Sequence, residues 1–129
     1  MIFLETSFLV NLNVPTLQNH KRAKEIWWDI KDKKKIISNM VVYETLTVLR
    51  KLKQDDKTVK KVYELLVDGK IDVLDDIIYY EQTLDYTFNK NNIGFFDNLS
   101  YIVMINNDIK TIASFDLGFD IFEDIKRIG

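Results

Sequence analysis

Four acidic side chains stand in apolar stretches of the sequence, where an isolated carboxylate is costly to bury. They are Glu5, Glu44, Asp97 and Asp116. Carboxylates that lie close together and stay ionised require a cation between them, and oxygen-only ligands suit Mg²⁺ or Mn²⁺. Such an ion activates water and stabilises the charge of a phosphodiester under in-line attack. The residue types therefore favour metal-dependent hydrolysis of a phosphodiester.

Three of these acids also have a structural explanation. Asp97 could be an acid favoured by a helix dipole, Asp116 could cap the turn after it, and Glu44 could pair with a basic side chain of a neighbouring helix. Glu5 follows an apolar strand, where an acid has few local uses. Asp120 is a weaker fifth candidate, more typical of a turn or of the surface.

Other kinds of chemistry lack the residues they need. The sequence has no cysteine and a single histidine, His20, which heads a surface-type helix and is interpreted as structural. There is no Gly-rich phosphate loop, so nucleoside-triphosphate chemistry is disfavoured. The sequence does not indicate a Ser/His/Asp catalytic triad or a Cys/His catalytic dyad either.

Composition and length indicate one domain over residues 1–129, of which 47% are apolar. No apolar run approaches the ~20 residues of a membrane helix, and no signal peptide is visible. A cytoplasmic protein is the simplest expectation. Charge is uneven: residues 1–65 hold 13 Lys/Arg and 8 acids, whereas residues 66–129 hold 5 and 12. This asymmetry is compatible with a basic face for a polyanion beside an acidic site.

Strand and helix patterns alternate along the chain. Strands are predicted at residues 1–5, 35–37, 71–74 and 111–113, with a last edge strand at 119–122. Helices are predicted at 6–12 (capped by Thr6 or Ser7), 16–33, 40–52, 57–68, 75–89 and 95–105, and a turn at 91–94. Such alternation predicts a three-layer α/β fold, with helices flanking a short, mostly parallel central sheet.

This arrangement brings the acids towards one edge of the sheet. Glu5 and Asp116 each come just after a strand, and open α/β sheets build their sites at the carboxyl ends of strands. Glu44 shares a helix face with Val41 and Val48. Asp97 lies in the first turn of the most apolar helix. We therefore expect the four acids to meet.

Basic runs and aromatic pairs are less specific signals. The runs at residues 33–35, 50–53 and 57–61 are typical of solvated helix faces, although they could hold RNA phosphates. The pairs Trp27-Trp28 and Tyr79-Tyr80 are more typical of a core or an interface than of base-stacking platforms.

Four motifs in order resemble the PIN domain family. They are M-I-F-L-E-T-S at residues 1–7, V-x-x-E-x-L-x-V-L-R at 41–50, F-x-D-x-L at 95–99 and I-A-S-F-D at 112–116. The resemblance covers nearly the whole chain. In its length the chain is similar to the VapC-type toxins of toxin–antitoxin pairs.

The resemblance implies a Mg²⁺- or Mn²⁺-dependent endoribonuclease. Glu5 and Asp97 would be the principal metal ligands, and Asp116 would complete the metal site. Glu44 would orient ligands or help to activate water, and the hydroxyls of Thr6 and Ser114 would line the site. The resemblance also implies a homodimer that is inhibited by a small antitoxin protein, with no membrane partner.

One residue departs from the family pattern. The first acid is usually Asp, whereas here it is Glu5, whose extra methylene moves the carboxylate by up to ~1.5 Å. That shift matters for a Mg²⁺ ion, which demands near-ideal geometry. Glu5 is compatible with a relaxed active site, with a catalytically weakened or inactive module that binds RNA or protein, or with a substitution that makes a toxic nuclease producible. A receiver-like signalling domain is a more distant alternative, because its late lysine would follow a strand, whereas Lys110 precedes one.

Overall fold

A five-stranded parallel sheet is the centre of the computed structural model, which describes residues 1–90 and 92–129. Its strands are β1 (Ile2–Leu4), β2 (Lys35–Ser38), β3 (Asp72–Leu74), β4 (Thr111–Ala113) and β5 (Lys126–Ile128). The strand order is β3-β2-β1-β4-β5, and every neighbouring pair is parallel. The predicted α/β architecture with a parallel central sheet is confirmed.

Helices cover the sheet. They are α1 (Thr6–Asn13), α2 (His20–Asp29), α3 (Asn39–Lys51), α4 (Asp56–Val67), α5 (Tyr80–Asn89) and α6 (Phe95–Asn106). Short 3₁₀ helices occupy Ile77–Tyr79 and Leu117–Ile121. Within the described residues, none of these helices has both the length and the apolar character needed to cross a bilayer.

Strand β1 lies in the middle of the sheet because its sequence is apolar throughout. Ile2, Phe3 and Leu4 are fully buried, as expected for a strand covered on both faces. Helix α6 is buried along its middle, with every residue from Asn98 to Met104 buried. Strand β1 ends directly before Glu5, and α6 begins two residues before Asp97.

The predicted edge strand at Phe119–Phe122 is wrong. Residues Leu117–Ile121 form a 3₁₀ helix instead, and the fifth strand is β5. Phe119 and Phe122 are three residues apart, which is the period of a helical turn rather than of a strand. Both are buried, and Phe122 stacks on Tyr101 with ring centroids 3.9 Å apart.

Several element boundaries also differ from the predictions. Helix α2 begins at His20 rather than near residue 16, and it ends at Asp29 rather than at residue 33. The helix predicted from residue 75 starts as a 3₁₀ turn, and α5 begins only at Tyr80. Part of the predicted turn at 91–94 lies outside the described residues, because residue 91 is not among them.

Candidate active site

The carboxyl ends of β1 and β4 are neighbours and begin the site. Leu4 pairs with Ala113, and the Glu5 amide donates to the Ala113 carbonyl at 3.0 Å. The residues directly after the two strands, Glu5 and Ser114, therefore stand side by side. This is the juxtaposition that follows from parallel pairing at one edge of the sheet.

All four acids line a single cleft of about 370 Å³ at this edge. Its walls consist of Glu5, Thr6, Ser7, Val10, Asn11, Glu44, Val48, Asp97 and Asp116. The acids arrive from four elements: the end of β1, one face of α3, the first turn of α6 and the turn after β4. The structure thus brings together residues up to 111 positions apart in the sequence.

Glu5 is held by the start of the next helix. Its Oε2 accepts hydrogen bonds from the Ser7 amide (3.0 Å), the Ser7 hydroxyl and the Ser114 hydroxyl (2.7 Å). Glu5 is therefore the N-cap of α1, and the prediction that Thr6 or Ser7 caps this helix is wrong. An acid at a helix N-terminus is favoured by the free amides and by the dipole, so Glu5 has a local structural use after all.

Burial raises the pKa of the Glu5 carboxyl to about 7. The hydrogen bonds from Ser7 and Ser114 stabilise the ionised form and oppose this rise, while the nearby charge of Asp97 adds to it. Glu5 is only 7% exposed, so loss of hydration is the main cause. Near neutral pH this carboxyl exchanges readily between its neutral and charged forms.

Burial and the charges of neighbouring acids raise the pKa of Asp97. Its pKa is raised to about 6, first by burial and then by the charges of Asp116 and Glu44. Thr6 Oγ1 donates to Glu44 Oε1, and this contact bridges α1 and α3. No Lys, Arg or His side chain forms an ion pair with any of the four acids within residues 1–90 and 92–129.

Asp116 combines a capping role with a place in the cleft. Its Oδ1 accepts from the Gly118 amide at 2.8 Å, which caps the 3₁₀ helix that follows. Its own amide is bonded to Ser114 Oγ at 3.0 Å. Asp120 lies elsewhere: it pairs with Arg127 Nε at 2.8 Å, which lowers its pKa, and it does not line the cleft.

Sequence reasoning missed two residues that organise the site. Ser7 bonds Glu5 and also accepts from the Phe115 amide at 2.9 Å, so it ties the ends of β1 and β4 together. Arg127 donates to the Ser114 carbonyl at 3.0 Å and holds Asp120. Ser7 could have been found from its place after β1, whereas Arg127 depends on β5, which was predicted elsewhere.

The family is decided by comparison with known domains. A model of the PIN domain matches residues 2–125. This chain belongs to the PIN domain family. The match excludes the receiver-like alternative, and comparison with curated protein sequences gives no significant match.

Solved structures share the fold of this PIN domain. VapC20 of Mycobacterium tuberculosis, a Sarcin-Ricin loop cleaving toxin, is 24% identical and has a TM-score of 0.85 over 94% of each chain. FitAcB from Neisseria gonorrhoeae is 19% identical with a TM-score of 0.69, over 100% of this chain and 97% of the other. VapBC2 from Rickettsia felis, bound to a DNA fragment from their promoter, is also 19% identical with a TM-score of 0.69, over 99% and 98%.

The donor set of this PIN domain fits a hard divalent cation by its chemistry. Four carboxylates face one cleft without a basic partner among the described residues, and the pKa of Asp97 is raised by two of the others. No three acidic or histidine side chains in that part of the chain converge into a preformed metal-binding group. Mg²⁺ commonly uses one or two protein carboxylates and keeps several waters, so a closed cage is not required.

Removing the Ser114 hydroxyl should destabilise the fold in a pH-dependent way. Ser114→Ala leaves the buried Glu5 carboxylate without one donor, so we expect the free energy of unfolding at pH 8 to fall by about 1–3 kcal/mol. The loss should be smaller at pH 5, where Glu5 is protonated. Urea unfolding in EDTA measures both values.

Ser38→Ala is the matched control for this substitution. Ser38 is also buried, but its Oγ has no hydrogen-bond partner among the described residues. We expect Ser38→Ala to show the same small change at both pH values. An equal, pH-independent loss in the two variants would contradict the role given to Ser114.

Proposed function

We propose that this PIN domain is a Mg²⁺- or Mn²⁺-dependent endoribonuclease and the toxin of a VapBC-type toxin–antitoxin pair. The observation that carries the proposal is the convergence of four carboxylates on one cleft, with no basic side chain paired to them within residues 1–90 and 92–129. Maintaining these charges together is unfavourable for folding, which indicates that they serve a positively charged ligand.

Each acid has a proposed role. Glu5 and Asp97 would be the principal ligands of the cation, and Asp116 would complete its shell. Glu44, oriented by Thr6, would direct ligands or accept a proton from the attacking water. When bound, the cation would activate water and stabilise the charge on the phosphodiester.

Assembly belongs to the same proposal. We propose that residues 1–129 act as one cytoplasmic domain that forms a homodimer and binds a small antitoxin protein. VapC20 is a toxin and VapBC2 was solved with promoter DNA, which supports a toxin–antitoxin context. Exposed Ile77, Ile78 and Phe88 supply apolar surface for protein contacts. Light scattering of the purified protein tests the dimer.

Cleavage of a structured RNA tests the catalytic part. The wild-type protein and Glu5→Asp are each incubated with the RNA and Mn²⁺, and EDTA is the control. We expect Mn²⁺-dependent cleavage by both, with Glu5→Asp faster, because Asp retains the helix cap and restores the shorter side chain that the family pattern contains. Absence of both cleavage and Mn²⁺ binding in the two proteins would refute the nuclease assignment.

A second candidate function is a PIN-fold binding module without catalysis. The observation that favours it is Glu5 itself, because three hydrogen bonds already occupy Oε2 and burial raises the pKa of the carboxyl to about 7. RNA binding that is unaffected by Asp97→Asn, together with no cleavage by the wild-type protein, would support this module. Cleavage by wild-type protein would exclude it.

A further inference from the structure

We infer that the outer face of α2 is a binding surface for single-stranded RNA that leads into the acidic cleft. We call it the Trp28 patch, and it consists of Lys21, Lys24, Trp28 and Lys31. The inference rests on the proposed function, because it names a surface that would hold the RNA substrate outside the cleft.

One open groove of about 510 Å³ defines the patch. It is lined by His20, Lys21, Lys24, Glu25 and Trp28, whose spacing places them on one side of a helix. Trp28 is 67% exposed, and the Nζ of Lys31 lies 4.1 Å from its ring centroid. Lys31 therefore makes a cation–π contact with the indole, while much of the indole's surface still faces solvent.

The two adjacent tryptophans have different environments. Trp27 packs against the core, whereas Trp28 is exposed and does not. Trp27 therefore takes the core position predicted for the pair, and an interface role for Trp28 stays a prediction.

A single exposed aromatic residue is ordinary. Here Lys31 lies against the exposed indole, and Lys21 and Lys24 line the same groove. The acid of the groove, Glu25, is paired with Arg22 at 3.6 Å. An exposed aromatic ring beside lysines combines the base-stacking surface and the phosphate-binding charge that single-stranded nucleic acids require.

Electrostatics explain why such a surface is needed. An RNA strand that approaches four carboxylates is repelled, and it needs positive charge beside the cleft to hold its phosphates. Residues 20–35 carry seven Lys/Arg and three acids, a net charge of +4. The patch lies in this segment, and it accounts for part of the basic excess in the first half of the chain.

A direct contact joins the groove of the patch, which His20 also lines, to the cleft. His20 Nδ1 lies 2.9 Å from the carbonyl oxygen of Asn11, and Asn11 lines the acidic cleft. Helix α2 therefore begins at the rim of the cleft, and Trp28 stands eight residues further along, about 12 Å away at 1.5 Å per residue. A strand lying along α2 would have one end in the cleft.

A non-cleavable probe separates binding from catalysis. The probe is a fluorescent 2′-O-methyl single-stranded RNA of about 12 nucleotides, within the usual range of site sizes. Its affinity for the full chain is measured by anisotropy in EDTA at several salt concentrations. We expect Trp28→Ala to weaken binding roughly tenfold with an unchanged salt slope, and Trp28→Phe to retain most of the affinity.

The lysines should show a different signature. Binding to RNA weakens as salt rises, so the slope of log K against log salt is negative. The double variant Lys21→Ala/Lys24→Ala should make this slope shallower by about 1.4, because each lost single-strand phosphate contact removes about 0.7. The control is Lys110→Ala/Lys126→Ala, which removes two exposed lysines at the starts of β4 and β5, outside α2 and its groove. It should leave both affinity and slope unchanged.

Fluorescence gives a second reading of the same contact. In a Trp27→Phe background Trp28 is the only tryptophan, since the chain has two, and its emission should be quenched by the probe. The inference is overturned if the probe does not bind, if the control lysine pair weakens binding as much as the patch pair, or if Trp28→Ala binds like wild type. A protein that binds the probe through Trp28 but neither cleaves RNA nor binds Mn²⁺ would refute the proposed function and leave the patch intact.

Discussion

Asp97→Asn is expected to reduce RNA cleavage by at least about a hundredfold, because it removes a charge proposed to hold the catalytic cation. The same substitution should raise the free energy of unfolding in EDTA at pH 8. In the wild-type protein the pKa of Asp97 is raised to about 6 by burial, Asp116 and Glu44, so its ionised form is disfavoured in the folded state. A neutral side chain of the same shape removes this penalty.

Lower activity combined with higher stability separates a site residue from a structural one. Asp108→Asn is the matched control, because Asp108 is exposed and precedes β4 at the opposite edge of the sheet. We expect that control to cleave RNA at the wild-type rate. Cleavage rates and urea unfolding of both variants are the measurements, and wild-type activity in Asp97→Asn would contradict its proposed role.

Glu5 should make the folded protein less stable as the pH rises. Its pKa is about 7 in the folded state against 4.5 ordinarily, so the folded state binds more protons between these values. By linkage, the free energy of unfolding therefore falls as the pH rises from about 4.5 to about 7, by up to about 3 kcal/mol. Glu5→Gln should remove this part of the pH dependence and be more stable than wild type at pH 8.

Urea unfolding in EDTA at pH 5 and pH 8 measures this effect. Glu64→Gln is the control, since Glu64 is exposed on α4 and should leave the pH dependence as in wild type. If Glu5→Gln instead unfolds more easily than wild type at pH 8, the ionised carboxylate is favourable in the folded protein. That outcome would contradict burial as the dominant influence on Glu5.

The fold and the meeting of the acids could be predicted because they follow from local patterns and one topological rule. Apolar runs such as Ile2–Leu4 and Thr111–Ala113 are strands in the structure, and alternation with helices makes their pairing parallel. Parallel strands end at the same edge, so Glu5 and Asp116 had to come close. The helix patterns then placed Glu44 and Asp97 near that edge.

Other features depend on contacts that a sequence does not display. The hydrogen bonds of Glu5 come from Ser7, two residues away in α1, and from Ser114, which parallel pairing of β1 and β4 brings close from 109 residues away. The short apolar segment at Phe119–Phe122 satisfies both strand and helix patterns. This segment is helical in the structure because Asp116 caps a 3₁₀ turn there and Phe122 packs against Tyr101. The role of Arg127 depends on the position of β5 in the same way.

Titration with Mn²⁺ tests most directly whether the four acids form a metal-binding site. Calorimetric titration of the wild-type protein with Mn²⁺ at pH 7.5 should give saturable binding, with release of protons from carboxyls whose pKa values are raised, such as Glu5 and Asp97. Asp97→Asn should bind at least about tenfold more weakly, and Asp108→Asn should bind like wild type. No saturable binding by wild type, or equal binding by wild type and Asp97→Asn, would contradict a metal site in this cleft.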